Sequence, residues 1–269
     1  MIDLHSHVLP GLDDGVRSIE EALALCAAAA ADGVKVIAAT PHVRHDYPTT
    51  PQQMEDALAA LRAANPAVQV IAGGELDLAE LDRPQDELVR FGLGGTRWLL
   101  VETPYWGWPL DLTERLFRLR VQGFGVVLAH PERNTDVQER PELLDPLVAG
   151  GTLVQLTAAS VDGRLGRRPA HCARELLDRG LAHLIASDAH APEVRAVGLG
   201  AAVTSLRDDE LAHWLTVAVP ESILHDTETP PRPEGHGPCG PRRSRTDRRG
   251  VRAGASGRSP ATGPRTTCP

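Results

Sequence analysis

MIDLHSHVLPGLDD, residues 1–14, sets two histidines and three carboxylates where an opening strand would normally carry only Val, Ile and Leu. As a strand, Met1–His7 alternates with period two, so Asp3, His5 and His7 share one face and Ile2 and Leu4 the other. Imidazoles at i and i+2 stand side by side, which suits a shared metal ion. A structural pair of histidines fits the same spacing, and the rest of the chain has to decide.

Moving outward, short apolar runs recur between amphipathic segments: IDLHSH, VKVIAATPH, VQVIAGGE, WLLVETPY, GVVLAHPER, TLVQLTAAS and HLIASDAH. The intervening stretches have helical periodicity. In SIEEALALCAAAAADG, Ser18 is the expected N-cap, Gly33 the stop, and Ile19, Ala22, Leu23, Cys26 and Ala30 the inward stripe. PQQMEDALAALRAANP turns Met54, Leu58 and Leu61 inward, and TERLFRLRVQG, RPELLDPLVAGG and RPAHCARELLDRG read as further helices. Strands alternating with helices predict an α/β fold with a parallel sheet covered by helices. An open doubly wound sheet is the rival, but no glycine-rich phosphate loop follows the first strand. Nearly every run ends in ionisable residues: His5 and His7, His42, Glu75, Glu102, His130, then Asp188 and His190. A β/α barrel brings the carboxyl ends of its strands onto one face, so the pattern favours a barrel and makes the first two histidines ligands.

Of 269 residues, 42% are hydrophobic and 24% charged, the balance of a soluble globular protein. No run is long enough for membrane insertion and the start does not resemble a signal peptide, so a cytoplasmic location is expected. Cys26, Cys172, Cys239 and Cys268 have no framework spacing, which argues against disulfides. Lys35 is the only lysine beside 27 arginines, a base-composition signature, and nucleic-acid binding is not expected. Residues 1–226 carry a net charge of −14 and residues 227–269 one of +6. From Pro230 onward there are 8 Pro and 7 Gly with almost no large apolar residue. Such a segment cannot offset its ordering entropy, so a folded domain at 1–226 and a disordered tail at 227–269 are expected.

The stretches MIDLHSHVLPGLDDG, ATPHV, GGELD, VETPYWGWP, VLAHPERN, VQLTAASVDGRLGRR and ASDAHAPEVR, in that order, resemble a bacterial family of the PHP (polymerase and histidinol phosphatase) superfamily. These are manganese-dependent protein-tyrosine phosphatases encoded with capsule and exopolysaccharide synthesis machinery, and the resemblance covers residues 1 to about 220. It implies a distorted seven-stranded (β/α)7 barrel binding three divalent ions, Mn2+ by expectation, with Fe or Zn also compatible. By resemblance, His5, His7, Glu75 and Asp188 hold the first ion. Glu75 bridges to the second with Glu102 and His130, and Asp14, His42 and His190 hold the third, with Asp13 the alternative to Asp14. Arg133 and Arg195 match the family's substrate-phosphate arginines. The implied partner is a phosphotyrosine-bearing protein, namely a membrane-associated bacterial tyrosine kinase of polysaccharide synthesis.

The chemistry agrees. Three divalent ions outweigh four carboxylates, leaving a net positive site that favours an anionic substrate. Nitrogen and oxygen donors without thiolate suit manganese, iron or zinc. Closely spaced metals acidify a bound water and clamp the attacking and leaving oxygens of an in-line displacement. HCARELLDR imitates a cysteine-phosphatase loop, but six residues rather than five separate Cys172 from Arg179, so Cys172 is read as structural. A carbamylated-lysine amidohydrolase fails because Lys35 begins a strand. Two rivals remain open: a PHP phosphatase acting on a small alkyl phosphate such as histidinol phosphate, and a non-catalytic metal-binding docking module. His45, His171, His183, His213, His225 and His236 are assigned no role, and Tyr105, Trp106 and Trp108 form an aromatic loop beside Glu102.

Overall fold

The computed structural model describes residues 1–191 and 196–233. Arg195 and positions 234–269, which include His236 and most of the expected tail, lie outside the described residues. Ten strands follow the apolar runs: β1 (Ile2–Ser6), β2 (Val36–Ala39), β3 (His42–Arg44), β4 (Tyr47–Pro48), β5 (Gln69–Ala72), β6 (Glu75–Asp77), β7 (Trp98–Glu102), β8 (Gly125–Ala129), β9 (Leu153–Thr157) and β10 (Leu184–Ala186). They form a three-stranded sheet β1-β2-β5 and a seven-stranded sheet β10-β9-β8-β7-β6-β3-β4. The β3–β4 hairpin is antiparallel and the other neighbours are parallel.

Two apolar runs are each split into two strands, and their sequences explain why. VKVIAATPH breaks at Thr40–Pro41, where proline has no N–H for the ladder. The Thr40 N–H donates to Ser6 O at 2.8 Å, while Pro41 O accepts from the Glu75 N–H at 3.0 Å. VQVIAGGEL breaks at Gly73–Gly74. A β-carbon on Gly74 would lie 2.7 Å from the Phe91 ring, so only glycine permits that approach. Each break hands the chain from the small sheet to the large one. The far edges also meet: the Asp188 N–H donates to His5 O at 2.9 Å and the His7 N–H to Ala189 O at 2.8 Å. The strict alternation expected for β1 is interrupted by a register shift between Asp3 and Ser6, where Asp3 Oδ1 accepts from the His5 N–H.

The helix Pro51–Ala63 carries a Thr50–Gln53 capping box and buries Met54, Leu58 and Leu61, the expected face. Arg167–Asp178 buries Cys172, Ala173, Leu176 and Leu177. In Ile19–Ala31, capped by Ser18, the buried stripe is Ala22, Leu25, Cys26 and Ala29 rather than the one built on Ile19, Leu23 and Ala30. A run of alanines packs almost equally well on either side, so tertiary context sets the rotation. RPELLDPLVAGG is not one helix. Pro146 starts a new helix, Asp145–Ala149, after a 3₁₀ turn at Pro141–Leu144. Among the described residues, no helix is long and apolar enough to cross a membrane.

The packed chain runs past the expected boundary at Asp226. Trp214 Nε1 donates to Pro230 O at 3.0 Å, and an Arg232 NH2 group donates to Leu177 O at 2.7 Å. A chain ending at Asp226 is therefore expected to melt about 2–8 °C below one ending at Pro233, the scale of one or two lost hydrogen bonds and their packing. Calorimetry of the two truncations checks this, and equal melting temperatures would show these contacts to be idle.

Candidate metal centre

The ends of the parallel strands deliver the ionisable residues to one place. His5 is in β1 and His7 just beyond it, His42 and Glu75 open β3 and β6, and Glu102 closes β7. His130 follows β8, and Asp188 and His190 follow β10. All are buried except Asp14, whose side chain is 42% exposed in the loop after β1. Two of them hold left-handed backbone conformations that β-carbons disfavour, His130 at φ 34° and Asp188 at φ 51°. Such strain persists where the surroundings fix it, and here it turns both side chains back over the strand ends.

Glu75 lies at the middle. Its Oε2 is 3.3 Å from His5 Nε2, 3.4 Å from His7 Nε2 and 2.8 Å from His42 Nδ1, and its Oε1 is 2.8 Å from His130 Nε2. Asp188 Oδ1 stands 3.5 Å from His5 Nε2 and 3.2 Å from His7 Nε2. Three groups of donor atoms are close enough to hold a cation: His5, His7 and Glu75; His42, Glu75 and Glu102; and His7, Asp14, His42 and His190. His7 and His42 thus each stand between two groups, a sharing that the linear order does not reveal.

Hydrogen bonds fix which ring nitrogens face inward. His5 Nδ1 donates to Gln155 Oε1 at 3.0 Å, His7 Nδ1 to Asp13 Oδ2 at 2.6 Å, and His190 Nδ1 to Asp188 O at 2.9 Å. Each contact turns Nε2 toward the cluster, as an orienting partner does for a metal-ligating histidine. The two adjacent aspartates are thereby separated. Asp13 also accepts from the His42 and Gly15 N–H groups, whereas Asp14 Oδ1 faces His190 Nε2 at 3.3 Å and His42 Nε2 at 3.6 Å. Gly15 is required for this turn, since a β-carbon there would sit 2.3 Å from His7 O. Glu75 Oε2 and His42 Nδ1 have only each other, neighbouring imidazoles and Glu102 within reach, and His130 Nδ1 is buried without a hydrogen-bond partner. Buried polar atoms normally have partners. Such atoms among clustered carboxylates and imidazoles fit a donor set for cations.

The electrostatics reflect crowding. Burial would raise the Glu75 carboxyl, but the imidazoles of His5 and His42 hold it well below the usual range. Glu102, desolvated and facing the charge of Glu75, is pushed up to about 7. Burial, with Arg133 alongside, holds His130 down to about 4 and keeps it a neutral donor. For His7, burial is overcome by hydrogen bonds to Asp13, Asp188 and Glu75, which raise it well above its ordinary value.

Arg133 lies on this cluster: its NH1 donates to Asp188 Oδ2 and its NH2 to the Tyr105 hydroxyl at 2.8 Å. Tyr105 stacks on His130 with ring centroids 6.2 Å apart. The neighbouring Trp106 is 74% exposed, and Trp108 packs on the core. Three residues at the site escape a reading based on ionisable run ends. Gln155 lies inside a strand, while Arg44 and Tyr47 follow His42 in a hairpin. Arg44 NH1 donates to Glu102 Oε2 at 3.4 Å. His45 and His171 are exposed, and His183 packs against Trp214, away from the cluster.

Residues 1–225 match the family described as "Capsular polysaccharide synthesis, CpsB/CapC". The chain belongs to this family. It is 30% identical over 244 residues to the tyrosine-protein phosphatase YwqE of Bacillus subtilis, covering 87% of this chain and 96% of YwqE. It is 29% identical over 205 residues to the tyrosine-protein phosphatase CpsB of Streptococcus pneumoniae, covering 71% and 83% of the two chains. A crystal structure from work on YwqE and CpsB, described as "unique metal-dependent tyrosine phosphatases", superposes with a TM-score of 0.77 at 29% identity, over 87% of this chain and 99% of that one.

Within this CpsB/CapC member the described cysteines, Cys26 and Cys172, are buried free thiols. Burial pushes the Cys26 thiol up to about 11 and Cys172 up to about 12. Only the thiolate is nucleophilic, so both are expected to resist alkylation of the native protein at pH 8 and to react once it is unfolded. Peptide mapping after iodoacetamide treatment tests this, and rapid native labelling of Cys172 would contradict it.

Proposed function

We propose that this chain is a metal-dependent phosphoester hydrolase that removes phosphate from phosphotyrosine in a protein of capsular polysaccharide synthesis. The carrying observation is the convergence of five imidazoles and four carboxylates, Glu75 among them, into one cluster of donor atoms. His5, His7, Glu75 and Asp188 would hold one cation, Glu75, Glu102 and His130 another, and Asp14, His42 and His190 a third, with His7 and His42 close enough to be shared. Manganese is the expected metal, and iron or zinc suit the same donors. When bound, the ions supply Lewis acidity, polarising the phosphoryl oxygens and acidifying water.

The chain's own residues do the rest. Gln155 and Asp13 keep His5 and His7 in the tautomer that presents Nε2. Arg133, braced by Tyr105, offers a planar fork to the equatorial phosphoryl oxygens and lies close enough to Asp188 to act beside it. Arg195 is the expected second arginine. A tyrosyl oxygen leaves readily because its conjugate acid has a pKa of about 10, so no dedicated proton donor is required. An alkoxide would need one. The names of the relatives support this reading over an alkyl-phosphate enzyme or a docking module, and a tyrosine kinase of the same machinery is the expected substrate.

We also read the two sheets as one distorted seven-stranded barrel. The Ser6–Ala189 bridge and the hydrogen bonds linking His5 and His7 to Asp188 and Ala189 support closure, and the two broken runs then count as single bent strands. Residues 1–226 are the proposed functional unit, with Pro230 and Arg232 adding contacts beyond it.

His5→Ala or Asp188→Ala is expected to abolish manganese-dependent hydrolysis of a phosphotyrosine peptide. Arg133→Ala is expected to keep its metal while losing about a hundredfold or more in kcat. Elemental analysis of each variant beside its rate separates the two cases. Equal or greater kcat/KM on histidinol phosphate than on the peptide would overturn the tyrosine assignment.

A further inference from the structure

Arg133 is built into its place by a particular sandwich. Its guanidinium carbon lies 4.8 Å from the Tyr105 ring centroid, Tyr105 stacks on His130 with the planes 18° apart, and the guanidinium reaches the cluster carboxylate Asp188. The molecule contains a second assembly of the same kind. Arg44 has its guanidinium carbon 5.1 Å from the Tyr47 ring centroid. Tyr47 stacks on His42 at 5.8 Å with the planes 14° apart, and Arg44 NH1 reaches Glu102 Oε2. The hairpin makes the pair rigid, because Arg44 and Tyr47 are register partners across β3 and β4. In the seven-stranded sheet, β6 and β7 lie between β3 and β8, so the two arginines come from separate parts of the sheet.

We infer that Arg44 is a substrate-binding residue that grips the phosphoryl group together with Arg133. This inference rests on the phosphatase reading above. A purely structural role accounts poorly for Arg44. Its contact with Glu102 is long at 3.4 Å, and its other carboxylate partner, Asp46, is a residue with a 63% exposed side chain that fixes little. The Arg44 side chain is itself 25% exposed at the mouth. These two contacts leave most of the five guanidinium donors available to a ligand. Any cation engaging Glu102 would also weaken the hold of that carboxylate on Arg44. The ligand class is a phosphomonoester dianion, whose several oxygens two forks can hold at once.

The test uses the full chain loaded with manganese, comparing wild type with Arg44→Ala, Arg44→Gln and Arg44→Lys. Inorganic phosphate binding is measured by calorimetry, hydrolysis of p-nitrophenyl phosphate and of a phosphotyrosine peptide by rate, and metal content and melting temperature alongside. Arg44→Ala and Arg44→Gln are expected to weaken phosphate binding about ten- to a hundredfold, as for a lost charge-assisted contact. Both substrates should lose kcat/KM to a similar degree, metal content should be unchanged, and Arg44→Lys should recover part of the loss. Unchanged phosphate affinity in Arg44→Gln, or a fall in metal content matching the fall in rate, would overturn the inference. A wild-type protein that bound phosphate but hydrolysed neither ester would defeat the phosphatase reading alone, since the phosphate-binding comparison still decides the role of Arg44.

Discussion

Glu75 is enclosed by four imidazoles, and the rest of the molecule is arranged so that it can be. A carboxylate removed from water costs several kcal/mol unless its charge and lone pairs are met. Here His5, His7, His42 and His130 come within 3.4 Å of its two oxygens. That enclosure requires four strand ends to stop at the same height. The glycine pair before Glu75 and the proline before His42 let two strands bend inward just where their side chains must meet. Without the bend at Pro41, Glu75 would lose His42 and keep three of its four imidazoles.

Around this centre the protein places groups that orient, and these are as costly to misplace as the centre itself. Gln155, Asp13 and the Asp188 carbonyl each hold an imidazole by its outer nitrogen, while Tyr105 and Tyr47 lie flat against His130 and His42. Left-handed backbone at His130 and Asp188 adds strain at the same points. The site concentrates buried charge, strain and unpartnered atoms, which stabilise nothing by themselves. The apolar layers between sheet and helices must offset them.

Much of this was legible in the sequence, and the gaps have physical causes. The apolar runs and their ionisable ends are strong signals because a buried strand seldom tolerates a charged residue. The inward faces of Pro51–Ala63 and Arg167–Asp178 were clear because large apolar residues recur at helical spacing. The alanine-rich Ile19–Ala31 offers no such contrast, and its rotation came out displaced. The splitting of two runs depends on which strand lies alongside, a non-local fact that Thr40–Pro41 and Gly73–Gly74 merely permit. Asp13 and Asp14 are identical in type and adjacent, so only the turn at Gly15 tells them apart. Gln155 is uncharged and lies within its run, and Arg44 stands two residues past the His42 that ends its run, so neither stood out by the criterion that found the others.

The hydrogen bonds joining Asp188 and Ala189 to His5 and His7 have a consequence for how the chain assembles. They connect the first strand to the last across more than 180 residues, a closure of very high contact order whose entropic cost is borne before any local contact rewards it. The segment carrying His5 and His7 keeps these partners unmet until the stretch around Asp188 and Ala189 is in place. Closing the centre therefore depends on a contact between segments far apart in the chain.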